Sequence, residues 1–247
     1  MKRVAHAPLR TSVSTATMLS LAALSVVLMA MAGCKTEELA STWSDRDVRI
    51  DGVNDEWQGA TTYIEDKDVS IGLLNDDKFL YVSLSGNDNI RMQVMRAGLT
   101  IWFDPEGGTD EWYGINFPTG AQGRMQEMRR RGEGGDRDPR SRRPTVDDDP
   151  MMYIELVGPG ELGRRRIPIE RVTGVEVKIG NDFGRFVYEL KMPLPRDADH
   201  LFGIGTKAGA VLGVGLETGD MPGRGRGGEV RPYVGVRCSA RRAGRGS

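Results

Sequence analysis

From Asp47 onward apolar positions recur every second residue, which is the period of a strand with one face buried. In Val69-Ser70-Ile71-Gly72-Leu73 the apolar residues alternate with small ones. Asn75-Asp76-Asp77 then predicts a turn, because these side chains hydrogen-bond their own backbone and tolerate left-handed dihedrals. Phe79-Leu80-Tyr81-Val82-Ser83-Leu84 is the return strand, so 67–86 reads as a hairpin. Asn89 to Arg96 fits a helical turn. Leu99 to Asp104 predicts a strand ended by Pro105 and Gly107-Gly108, and Trp112 to Phe117 predicts another. Further strands are expected at Met151–Val157, Val175–Ile179, Arg185–Met192 and Ala210–Leu216. In the third of these, Phe186, Tyr188, Leu190 and Met192 share one face before Pro193 and Pro195 stop the run.

Between these runs the pattern collapses twice. Residues 120–150 hold eight arginines, seven carboxylates and almost no aliphatic side chains. Such a stretch buries too little apolar surface to offset its chain entropy, so a disordered loop is expected. From Pro222 the tail carries seven arginines and one acid, and a disordered, solvated end over 222–247 is expected there too. Eight to ten short strands with turns between them and no long helix predict an all-β fold, a jelly-roll-like antiparallel β-sandwich over 46–221.

The first 33 residues read as an export signal rather than as fold. Lys2, Arg3 and Arg10 precede an apolar run from Met18 to Ala30 that is short for a membrane span. Met31-Ala32-Gly33-Cys34 resembles the bacterial lipobox, with Met where Leu is usual. The resemblance implies cleavage before Cys34, acylation of that cysteine, and a tether over 34–45. Several acyl chains give durable membrane anchoring. Lys35, where a retention signal would place aspartate, implies the outer membrane by the same resemblance.

Without Lys2, Arg3 and Arg10 the chain carries 31 basic and 35 acidic residues, a net charge of −4. That balance gives no reason to expect nucleic acid as a partner. With Cys34 acylated, Cys238 is alone and no intramolecular disulfide is available. The domain is expected to be a monomer.

Four stretches occur in series: "IDGVNDEWQGA" from Ile50, "LLNDDKFLYVSL" from Leu73, "GLTIWFDPEG" from Gly98 and "RFVYELKMPL" from Arg185. Together they resemble the family 9 carbohydrate-binding modules and the wider group of sandwich domains related to them, over roughly residues 46–216. The resemblance implies non-catalytic glycan binding by a cell-envelope lipoprotein. It also implies that Trp57 packs over the end of the sandwich, with Asp51, Gly52 and Asp55 shaping the turn, so this tryptophan is expected to plug a core rather than to stack on sugar. Of the two aromatic platforms the resemblance implies, neither is present. Met95-Arg96-Ala97-Gly98 stands at one position and the glycine-arginine tail at the other. The remaining ligand-binding candidates are Trp112 and Tyr113, flanked by Asp110, Glu111 and Asn116, and Trp102 on the strand face opposite Ile101 and Phe103. Trp102 is expected to be buried under the second layer. The alternative function is an envelope scaffold or protein-interaction sandwich that has lost the sugar site.

Cofactors are not expected. Asn75-Asp76-Asp77, Asp88-Asn89, Asp104 with Glu106, and Asp147-Asp148-Asp149 are oxygen-rich, but none has the spacing of a defined calcium loop, and structural calcium is the only ion they leave open. His200 is the only histidine beyond the signal segment, which excludes multi-histidine metal sites and leaves no nucleophile-elbow arrangement. Haem ligation of the kind used by related sandwiches would need His200 with a methionine. No pair of carboxylates stands out for glycoside hydrolysis, and the chain is not expected to be an enzyme.

Overall fold

The computed structural model describes residues 37–120, 149–158, 163–219 and 233–238. In chain order the strands are β1 (Glu37–Ala40), β2 (Thr42–Trp43), β3 (Thr61–Ile64), β4 (Val69–Asn75), β5 (Phe79–Gly86), β6 (Leu99–Asp104) and β7 (Tyr113–Asn116). They continue with β8 (Tyr153–Val157), β9 (Arg164–Pro168), β10 (Glu176–Asp182), β11 (Arg185–Pro193), β12 (Val211–Thr218) and β13 (Tyr233–Arg237). One α-helix, α1 (Asp88–Ala97), lies between β5 and β6 among the described residues.

The strands form two sheets, ordered β1-β13-β12-β6-β7-β8-β9 and β10-β11-β5-β4-β2, with β3 also paired to β4. β2 and β3 share one edge of β4: β3 runs antiparallel along Val69–Gly72, and β2 runs parallel at Leu74–Asn75. The fold is an all-β sandwich. Its core follows from the alternation. Ile71, Leu84, Tyr188 and Leu190 of one sheet are buried with Ile101, Phe103, Ile115, Leu156 and Val214 of the other. The four residues Phe186, Tyr188, Leu190 and Met192 are all buried, as their spacing predicts.

The helical turn expected at Asn89–Arg96 is the helix α1, which carries the chain from one sheet to the other. Asn87 caps it, its side-chain oxygen accepting from the amides of Asn89 at 2.9 Å and Ile90 at 3.2 Å. Ile90 and Val94 turn inward, and Gly98 ends the helix at φ +86°.

The sheets reach further than the sequence pattern does. β1 and β2 fall inside the segment expected to be a tether, and β13 falls inside the tail expected to be disordered. Tyr233–Arg237 pairs antiparallel with β12 and parallel with β1, and Cys238 behind it is buried. A short run can dock there because an edge strand needs only backbone partners on one side. The expected signal segment, Cys34 and most of the 120–150 loop lie outside the described residues.

Candidate functional site

Each sheet carries a tryptophan laid flat on its outer face over a glycine, with a glutamate at the indole nitrogen. On the six-stranded sheet, Trp57 is 1 % exposed and covers Gly72, where an added Cβ would meet the ring at 2.6 Å. Its Nε1–H donates to Glu189 Oε1 at 2.6 Å, and the Gly52 amide donates to Oε2 at 2.6 Å. Gly52 adopts φ +87°, bringing its backbone against Gly180, and Asp51 Oδ1 accepts from the Val53 amide to hold the turn. Trp57 therefore plugs a core, as expected, but not at the end of the sandwich. It closes a second apolar cluster with Val48, Leu74 and Tyr81 on the outer face of the sheet. Burial raises the Glu189 carboxyl above its ordinary value, against the opposing effect of the two donated hydrogen bonds.

The four sequence-predicted ligand residues do not all share one face. Trp112 is 49 % exposed just before β7. Tyr113 points the other way, as successive strand residues must, and is buried in the core with its hydroxyl donating to Phe202 O at 3.0 Å. Burial pushes that phenol up to about 12. The pair accordingly lines no common face. Trp102 is buried on the outer face of the seven-stranded sheet rather than between the layers. It lies over Gly114 and donates to Glu217 Oε2 at 2.7 Å. Asn116 shares that face and donates to Thr100 Oγ1 at 2.8 Å.

The oxygen-rich segments serve turns. Asp76 accepts from the amides of Lys78 and Phe79, both at 2.7 Å, and from the Tyr81 hydroxyl at 2.8 Å. Asp104 accepts from the amides of Glu106 and Asp110. His200 sits in a turn against Asp197 and meets the Phe79 ring edge-on at 6.0 Å. A trio that the sequence does not reveal, Asp51, Glu56 and Glu189, brings carboxylate oxygens within 4.8 Å of one another. Its all-oxygen chemistry suits a hard cation, but Glu189 already accepts two hydrogen bonds and Arg49 approaches Glu56 at 3.3 Å.

Among the described residues an open concave region lies elsewhere, on the half of the six-stranded sheet that the Trp57 cluster leaves uncovered. Strand register sets Tyr63, Ser70 and Ser85 side by side across β3, β4 and β5, on the face of Gly72 and Glu189. The small serines make a floor. Tyr63 rises on one side, Arg185 on the other, and the edge of Trp57 closes the wall of a cleft of about 500 Å³. Tyr63 is 55 % exposed, and no ring contact to it occurs among the described residues. Its hydroxyl donates to Asp68 Oδ1 at 2.8 Å, while Asn87 Nδ2 donates to Asp68 Oδ2 at 2.6 Å. Asp68 itself stands at φ +52°, a conformation aspartate tolerates better than most side chains. Accepting the tyrosine hydroxyl, Asp68 raises the phenol above its ordinary value. The ring is thus tethered at its tip, and no described aromatic ring or cation packs on its face.

Among solved structures the chain is similar to a carbohydrate-binding module family 9 from Caldicellulosiruptor kristjanssonii in two complexes. For the complex with glucose the identity is 9%, covering 83% of this chain and 98% of that one, with a TM-score of 0.37. For the complex with cellotriose the identity is 11%, covering 85% and 99%, with a TM-score of 0.38. No family model matches the sequence, and no curated protein matches it.

Proposed function

We propose that this chain is a non-catalytic carbohydrate-binding module and that its sugar seat is the Tyr63 cleft, not the surface around Trp112. One observation carries the reading: an exposed aromatic ring, fixed by Asp68, stands over a floor of serine hydroxyls. A pyranose offers axial C–H groups to such a ring face and hydroxyls to the groups around it. Gln58 and Thr61 on the rim and Ser70 and Ser85 below supply donors and acceptors. Among the described residues the cleft lining holds one carboxylate, Asp68, and both its oxygens already accept hydrogen bonds. Glycoside hydrolysis uses two carboxyl groups about 5–10 Å apart, so the lining supports binding without cleavage. Lipid anchoring through Cys34 in the outer membrane belongs to the same proposal and draws on the leader sequence. The second reading, a protein-interaction sandwich, draws on Phe183, fully exposed at the β10–β11 turn, and on Leu201, 68 % exposed.

Calorimetric titration of the full chain in detergent against plant and bacterial glycans separates the two. Saturable binding that Tyr63→Ala weakens about tenfold or more, and that Trp112→Ala leaves unchanged, supports the sugar seat. A folded protein that binds none of the glycans belongs to the second reading.

A further inference from the structure

Among the described residues Arg185 is the only cation lining the Tyr63 cleft. It opens β11 beside the Asn181–Gly184 turn, and its side chain is exposed. No ion pair or hydrogen bond from a described residue engages its guanidinium. The nearby acids are occupied: Asp68 accepts from Tyr63 and Asn87, and Asp182 Oδ2 accepts from the Asn54 amide at 3.4 Å. Its charge nevertheless reaches the tyrosine hydroxyl, where it opposes the effect of Asp68. Three strand-to-strand steps separate Tyr63 from β11, roughly 14 Å between backbones at ordinary sheet spacing. The long arginine and tyrosine side chains narrow that gap.

A guanidinium that no described residue engages, facing an aromatic ring across a hydroxyl floor, selects a ligand that is apolar on one face and anionic at one end. Guanidinium is a planar fork that meets a carboxylate through two parallel hydrogen bonds, and such charge-assisted pairs are about twice as strong as neutral ones. We propose that the cleft takes an acidic glycan, a chain of hexuronate residues whose sugar ring stacks on Tyr63 and whose carboxylate is held by Arg185. The carboxylate replaces the sugar's exocyclic hydroxymethyl group, so it lies at the edge of a ring stacked flat. The rest of the described lining adds no second cation, so one carboxylate per bound sugar is the match. This inference rests on the reading of the cleft as a glycan seat.

The experiment compares galacturonate, glucuronate and mannuronate trimers, each beside its methyl ester, by calorimetry on the full chain in detergent. Esterification removes the charge and keeps the sugar skeleton. Citrate serves as a carboxylate without a sugar. At least one acid trimer is expected to bind about tenfold or more tighter than its ester. Arg185→Ala should remove most of that difference by weakening the acid far more than the ester, and Arg185→Lys should keep part of it. Tyr63→Ala should weaken both. A cooperative urea-unfolding transition shows that each variant is folded. Acid and ester binding equally, with Tyr63 required, overturns the acidic preference and leaves the glycan seat standing. Citrate binding as tightly as the trimers overturns it in favour of a plain anion site. Acid trimers, esters and the neutral glycans all failing to bind overturns the glycan reading itself, and the acidic preference with it.

Discussion

At Glu189 two requirements conflict. The carboxylate is 0 % exposed, which favours its neutral form, while Trp57 and Gly52 each aim an N–H at it, which favours the charged form. Burial prevails, and the folded value lies above the ordinary 4.5. The consequence for stability has a definite sign. Between the ordinary value and the raised one, the folded protein holds a proton at Glu189 that the unfolded chain has lost. The contribution of Glu189 is therefore full below that window and declines as pH rises through it, then levels off. Urea unfolding from mildly acid to neutral pH should show the wild type losing stability relative to Glu189→Gln as pH rises. A difference that is flat, or that grows in the wild type's favour, would mean that the two N–H donors outweigh burial. At the surface the hydrogen bond to Asp68 orients the Tyr63 ring and raises its phenol further from an ordinary value already far above physiological pH.

At the scale of the element, what could be read in the sequence depended on burial. β4, β5 and β11 bury one face in the main core, so their alternation is plain, and β6 and β12 follow the same rule. β9 could not be read that way. Its Arg164-Arg165-Arg166 run is exposed on a sheet edge, where backbone pairing with β8 is enough and charge discourages further pairing. β3, with three exposed residues of four, was hidden for the same reason. The tryptophan plug was legible from the turn residues around it, but its acceptor lies 132 residues away and no local pattern points to it. The cleft is harder still. Tyr63, Ser70, Ser85 and Arg185 come from four strands, and strand register together with the β10–β11 turn brings them to one cleft. Trp112 beside acids reads in the sequence as a binding site, yet strand alternation sends its neighbour Tyr113 into the core. The close fit of element to element gives a direct test at Gly72. A methyl group added there meets the Trp57 ring at 2.6 Å, so Gly72→Ala should cost about 1–3 kcal/mol. A denaturation midpoint unchanged from wild type would mean that the ring stands clear of β4.

Across the whole molecule, the sandwich is completed from both ends of the described chain. β1 and β13 extend one sheet, and the backbones of Ala210 and Gly209 hydrogen-bond with Cys238 at 3.0 and 3.1 Å. Burial pushes the Cys238 thiol up to about 11, so little thiolate exists at neutral pH. In the folded full chain it should resist a thiol reagent and react promptly in denaturant. Rapid labelling under native conditions would show that the β13 segment is undocked. A fragment ending at 221 would lack that strand and leave β12 with an open edge, so binding is best measured on the full chain. The most direct test of the proposed function is backbone amide NMR during titration with the tightest glycan. The account predicts that shifts concentrate at Tyr63, Asp68, Ser70, Ser85 and Arg185 while Trp112 and Tyr113 stay still. Shifts centred on Trp112, with the Tyr63 cleft unmoved, would contradict it.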